Sequence, residues 1–196
     1  MSFTDYKNHI ASTIETEPTE EPLTREEVKG FLRITSADEN TLLGNLITTV
    51  RKQFETLTGR AVITQTWKAF YDGWPGQYFI LPYPNLASVT HIKYTDSDAD
   101  VTTWDADEYI VDIKKEPGRV QLGYGESFPS ATLYPSNPIE IQFVCGYGLQ
   151  ASVPQDLKTM LLIGVERIYD RPHKDYDKLL KDIWDSFLIN FRVRGV

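Results

Sequence analysis

Cysteine is almost absent from this chain: among 196 residues, Cys145 is the only one. A single thiol excludes an intrachain disulfide and any zinc cluster built from cysteines, which agrees with folding in a reducing compartment. Positive charge is also scarce. Twenty Lys and Arg face 28 Asp and Glu, for a formal net charge of -8, whereas gripping a nucleic-acid backbone takes clustered cations that displace counterions. Specific binding of DNA is therefore not expected. No apolar run approaches the roughly 18 residues that span a bilayer, and the first residues are polar and acidic rather than those of a signal peptide. The expectation is a soluble protein made in a cytoplasm, with no membrane partner.

Chemical motifs are missing too. There is no phosphate-cradling glycine loop, zinc-binding histidine pair or nucleophile elbow, and Gly123-Tyr124-Gly125 lacks the following helix that would give it meaning. What is present is 41% apolar residues, enough for a real core.

The apolar spacing sorts the chain into segments. Residues 1–22 carry Asp5, Glu15, Glu17, Glu20 and Glu21 against Lys7 alone, with prolines at 18 and 22, and read as a flexible acidic arm. Thr24 with Glu27 and Ser36 with Glu39 fit the capping box, predicting two helix starts. The first helix shows Val28, Phe31 and Leu32. The second repeats Leu42, Leu43, Leu46, Ile47, Val50, Phe54 and Leu57 until Gly59 stops it.

From Ala61 the pattern turns to β. Residues 61–71, 78–81, 88–94, 108–113, 119–122 and 139–144 are β-branched or aromatic and separated by turn residues, predicting roughly five or six short strands in a small sandwich or half-barrel. Helix returns at Pro154, with Leu157, Met160, Leu161, Gly164, Val165 and Ile168 as a packing stripe. Pro172 ends it, and Tyr176, Leu179, Leu180, Ile183 and Phe187 mark a last helix. The fold class expected is α+β. A helical bundle body of residues 23–60 and 150–189 carries an inserted antiparallel β domain, residues 61–149, and residues 190–196 form a basic tail.

Four sets of residues are weighed for chemistry. Asp96, Asp98, Asp100 and Asp107 have calcium-loop spacing, but Val101 stands at the glycine position and Asp107 where a bidentate glutamate belongs, so a solvated hairpin tip is preferred. Cys145 has no motif linking it to His9, His91 or His173 and reads as a small buried strand residue. Glu166 and Asp170 are interleaved with Arg167, Arg171 and Lys174, which describes a solvated or intersubunit ion-pair face rather than acid-base catalysis. Trp74, Tyr124, Phe128 and Tyr134 would suit a sugar surface but equally anchor a small β domain. No catalytic, cofactor-binding or metal-ligating residue is assigned.

The ordered set "EEVKGFLRI", "RKQFETLTGRAVITQTW", "LPYPNLASVTHIKY", "EYIVD", "GRV", "FVCGYG" and "VPQDLKTMLLIGVERIYDRP", from about Leu23 to Pro172, resembles the head-to-tail connector, or adaptor, proteins of long-tailed bacteriophages and related gene transfer particles. The resemblance implies a virion neck protein that forms a homo-oligomeric ring, about a dozen subunits, beneath the portal protein. It would extend the DNA channel and offer a platform to a tail-side stopper or tail terminator protein. It also bears on the C-terminal segment Phe187, Leu188, Ile189, Phe191, Arg192, Val193 and Arg194. On the residues alone, this segment suits either a strand added to a partner's sheet or packing back on its own helices; with the resemblance, portal docking is preferred. The rival function is a carbohydrate- or protein-binding module of a phage tail or baseplate.

Overall fold

The computed structural model describes residues 9–169 and 174–192. Among them it forms four α-helices and eight strands, the strands in two antiparallel sheets, a mixed α+β fold. Two compact units share the chain. Residues 18–64, 147–169 and 174–192 make the helical unit, and residues 9–17 and 65–146 make the β unit.

The helical unit contains α1 (Arg25–Leu32), α2 (Asn40–Thr58), α3 (Gln155–Tyr169) and α4 (Lys174–Phe191). The capping box at α1 forms as its residues dictate: the Thr24 hydroxyl accepts the Glu27 N–H at 3.0 Å, and the Glu27 carboxylate accepts the Thr24 N–H at 2.6 Å. The second box does not form. The Ser36 hydroxyl accepts the Asp38 N–H instead, and the Glu39 carboxylate that the box requires accepts a hydrogen bond from the Tyr169 hydroxyl at 2.6 Å. α2 consequently starts at Asn40 with no side-chain cap. Its end follows expectation: Gly59, at φ 70°, takes the left-handed conformation that glycine adopts without a Cβ clash.

Val28, Leu43, Ile47, Val50 and Phe54 pack with Leu157, Met160, Leu161 and Val165 in one core. Each such side chain contributes about 1.5–3 kcal/mol by leaving water. The α2 stripe is narrower than its spacing implied, because Leu42 and Leu57 are exposed. The α3 stripe is shorter as well: Leu157, Met160, Leu161, Gly164 and Val165 are buried, but Ile168 in the last turn is 38% exposed. Residues 61–63, expected to open a strand, also belong here. Val62 and Ile63 are buried in the helical core, held by the Val62 N–H donating to Glu55 Oε1 at 2.9 Å.

The β unit contains β1 (His9–Thr16), β2 (Gln65–Tyr71), β3 (Tyr78–Ile80), β4 (Leu86–Thr95), β5 (Val101–Thr103), β6 (Tyr109–Asp112), β7 (Arg119–Leu122) and β8 (Ile139–Cys145). One sheet has the order β1-β2-β8-β4-β5, the other β3-β7-β6. β8 is central and alternates, with Ile139, Ile141, Phe143 and Cys145 buried and the residues between them half-buried, the period of a strand with one face on a core. Tyr71 of β2 meets Phe79 of β3 edge to face at 4.8 Å, and its hydroxyl donates to the Ile80 carbonyl at 2.8 Å. Residues 9–16 overturn part of the expected flexible arm: as β1 they pair with β2, Thr13 opposite Lys68 and Ile14 opposite Trp67.

Candidate assembly surface

The acidic loop holds its own shape rather than an ion. Asp96 Oδ1 accepts the backbone N–H groups of Asp98 and Asp100, and Asp105 Oδ1 accepts that of Asp107 at the head of a short 3-10 turn. Asp98, Asp100 and Asp107 do not converge with it; among the described residues, no group of three or more His, Cys, Asp or Glu is placed to hold a metal.

Cys145 is fully buried, its Sγ 3.9 Å from the Gln65 carbonyl oxygen. His91 Nε2 lies 3.0 Å from Glu140 Oε1. That pair belongs to a row running across four strands. Glu15 of β1 reaches Lys68 of β2 at 3.3 Å, Lys68 reaches Glu140 of β8 at 3.8 Å, and Glu140 reaches His91 of β4. No local pattern signals it, since the four residues are brought together only by strand register. His173 and Asp170 lie outside the described residues, as do Arg171, Val193 and Arg194; the side chains of His9, Lys174 and Phe187 are likewise outside them.

The aromatic candidates separate. Trp74 and Phe128, both half-buried, stack on each other at 5.2 Å and meet Phe79 and Trp104 within the same cluster of the β unit. Tyr124 is fully exposed, and Tyr134 is exposed apart from that cluster.

The C-terminal candidates up to Phe191 are helical, not extended. Leu188 is buried in the helical core, Phe191 meets Phe54 edge to face at 5.7 Å, and the Arg60 Nε donates to the Phe191 carbonyl. Ile189, by contrast, is 58% exposed, and Arg192 is exposed too.

A buried ion-pair network was missed in the sequence. Arg51, 3% exposed, donates from Nε to Glu21 and from Nη1 to Glu55, both at 2.7 Å, and the Thr48 hydroxyl donates to Glu21 at 2.8 Å. Burial disfavours the guanidinium charge, but hydrogen bonds and attraction from Glu21 and Glu55 outweigh it and raise the Arg51 pKa. The signal was available: residue 51 lies four after Ile47 and three before Phe54, on the buried stripe, where an arginine demands partners.

What remains exposed and apolar is a set of surface positions: Phe31, Leu42, Leu57, Leu149, Ile168 and Ile189 on the helical unit, and Val101, Ile110, Ile113, Tyr124 and Tyr134 on the β unit.

No protein-family model and no curated protein sequence matches the chain. Solved structures do. The fold is similar to that of a chain in the neck of an empty GTA particle computed with C6 symmetry, at TM-score 0.75 and 18% identity, covering 95% of this chain and 97% of that one. A chain of the virion of a native gene transfer agent (GTA) particle gives the same values. One from the neck of a native GTA particle computed with C12 symmetry gives TM-score 0.65 at 19% identity, covering 93% and 97%. At these identities the likeness is one of fold, and it extends over nearly the whole of both chains.

Proposed function

We propose that this chain is a structural neck protein of a tailed-phage-like particle. In this reading it is an adaptor that forms a ring beneath the portal, extends the DNA channel and receives a stopper or tail terminator protein. The observation that supports it most is the end-to-end correspondence of fold with chains from particle necks, covering 95% of this chain at TM-score 0.75. The C6 and C12 symmetries of those assemblies support a homo-oligomeric ring here, and the ordered motifs from Leu23 to Pro172 support the same family independently.

The helical unit serves as the body of the subunit, and residues 65–146 of the β unit are inserted in it. Ile189, Arg192 and the residues beyond them form the portal-docking end, while Leu188 and Phe191 anchor it to the body. The net charge of -8 suits a channel wall that DNA crosses without adhering. The chain acts by assembly and not as an enzyme. A sugar- or protein-binding module of a tail is the weaker reading, because Trp74 and Phe128 stack on each other.

Mass photometry of the full chain with the portal of the same particle tests this. Saturation at about a dozen copies per portal is expected from closed ring symmetry; one or two copies, or none, overturns the adaptor role.

A further inference from the structure

We propose that the β unit binds a second copy of this chain end to end, the acidic turn between β4 and β5 of one copy meeting the basic turn between β6 and β7 of the next. This rests on the neck-ring reading and names the contact that would close the ring.

Each turn carries an excess of one charge sign beside an exposed β-branched residue. After β4, Asp98 and Asp100 are exposed next to Val101, which is 63% exposed. Asp96 is engaged by the turn's own amides, whereas among the described residues no ion pair holds the other two carboxylates. After β6, Lys114 and Lys115 follow Ile113, which is 53% exposed. Asp112 is committed to Arg119 Nε and to the Lys114 N–H, both at 3.0 Å; Glu116, exposed in the same turn, offsets one of the two ammonium groups, so the turn keeps a surplus of one positive charge.

The turns stand at opposite ends of β4. Gly118 closes the basic turn directly against Leu86, the first residue of β4: a Cβ there would lie 2.6 Å from Leu86 Cδ2. The acidic turn follows Thr95, the last residue of the strand, about 30 Å away at roughly 3.3 Å per residue. The aromatic contacts give the same placement. Tyr94 and Trp104 both meet Trp74, and Trp104 lies 5.0 Å from Tyr109, so β6 begins beside the far end of β4 and runs back toward its start.

Opposite signs at opposite ends are what a heterologous contact requires. Two acidic turns repel, which disfavours a two-fold dimer through either end, while acidic-to-basic contacts propagate and close with a small rotation per subunit into a ring of many copies. Pairing would cover Val101 and Ile113, and the flanking charges would set register and association rate.

Two full-length variants test this: D98K/D100K, basic at both turns, and K114E/K115E, acidic at both. Circular dichroism confirms that each retains the wild-type fold. In sedimentation velocity at low salt, the wild type is expected to associate, each variant alone to associate about tenfold more weakly or less, and their equimolar mixture to recover association by alternation. Variants that associate like the wild type, or a mixture that does not recover, overturn the proposal while leaving ring formation on the portal intact. Monomers in every sample, mixture included, overturn it as well. Failure to form a ring on the portal is a separate result and removes the neck reading itself.

Discussion

Gly164 lies directly beneath the indole of Trp184: a Cβ on residue 164 would overlap Trp184 Cζ3 and come within 2.7 Å of Cη2 and 2.8 Å of Val50 Cγ1. Three helices therefore meet at a point that admits no side chain. In an open helix, alanine would be about 1 kcal/mol better than glycine. Here overpacking costs about 1–3 kcal/mol, and the second effect wins. Gly164→Ala should lower the melting temperature, and Gly164→Leu should prevent the helical unit from folding. An unchanged melting temperature for the leucine variant would contradict the packing described.

Arg51 predicts a larger loss. Removing its guanidinium leaves Glu21 and Glu55 facing each other without their shared cation, a change worth about 3–5 kcal/mol in buried pairs. Arg51→Ala should therefore destabilise strongly, as measured by urea denaturation. Arg51→Met combined with Glu21→Gln and Glu55→Gln should recover part of the loss, since no charge is then left unpaired. Equal destabilisation in the single and triple variants would show that packing, not charge, is the cause.

The cap of α1 gives a pH dependence with a definite sign. Burial raises the Glu27 pKa, but hydrogen bonds from Thr24 and the attraction of Lys158 outweigh it, and the native value falls below 4.5. A carboxyl depressed in the native state stabilises above its unfolded pKa, and that contribution is lost as pH falls through the native value. Wild type should exceed Glu27→Gln by about 0.5–1 kcal/mol at neutral pH, as expected for a charged first-turn partner. The gap should close as pH falls through the depressed native value. A gap independent of pH would assign the effect to the shape of the cap rather than its charge.

The C-terminal end separates anchoring from docking. Truncation after Ser186 removes Leu188 and Phe191 from their contacts with the helical core, and losing a buried leucine alone costs about 2–5 kcal/mol. That chain should melt well below wild type. Truncation after Arg192 should leave the melt unchanged and weaken portal binding; wild-type affinity in the shorter cut would place docking elsewhere.

How much of this was legible follows from where each signal is encoded. Thr24 and Glu27 announce α1 because a capping box is local, and the alternation of Ile139, Ile141 and Phe143 announces a strand for the same reason. Ser36 misled because its partner Glu39 is taken by Tyr169, 130 residues away. β1 escaped notice because Ser12, Thr13 and Glu15 offer no apolar alternation; its pairing with β2 spans about half a hundred residues of chain, a distance no short pattern spans. Val62 and Ile63 have strand propensity but sit in the helical core, a case of tertiary packing overriding local preference. The exposed apolar positions were least legible: Leu42 and Leu57 fit a core stripe by spacing, and only burial distinguishes them from Leu43 and Phe54.

The most direct test of the neck assignment is to image particles assembled with an epitope-tagged copy of this chain, using gold-labelled antibody and negative-stain microscopy. The account predicts label confined to the head–tail junction, and DNA-filled heads without tails when the chain is omitted. Label at the distal tail, or tailed infectious particles formed without the chain, would contradict it.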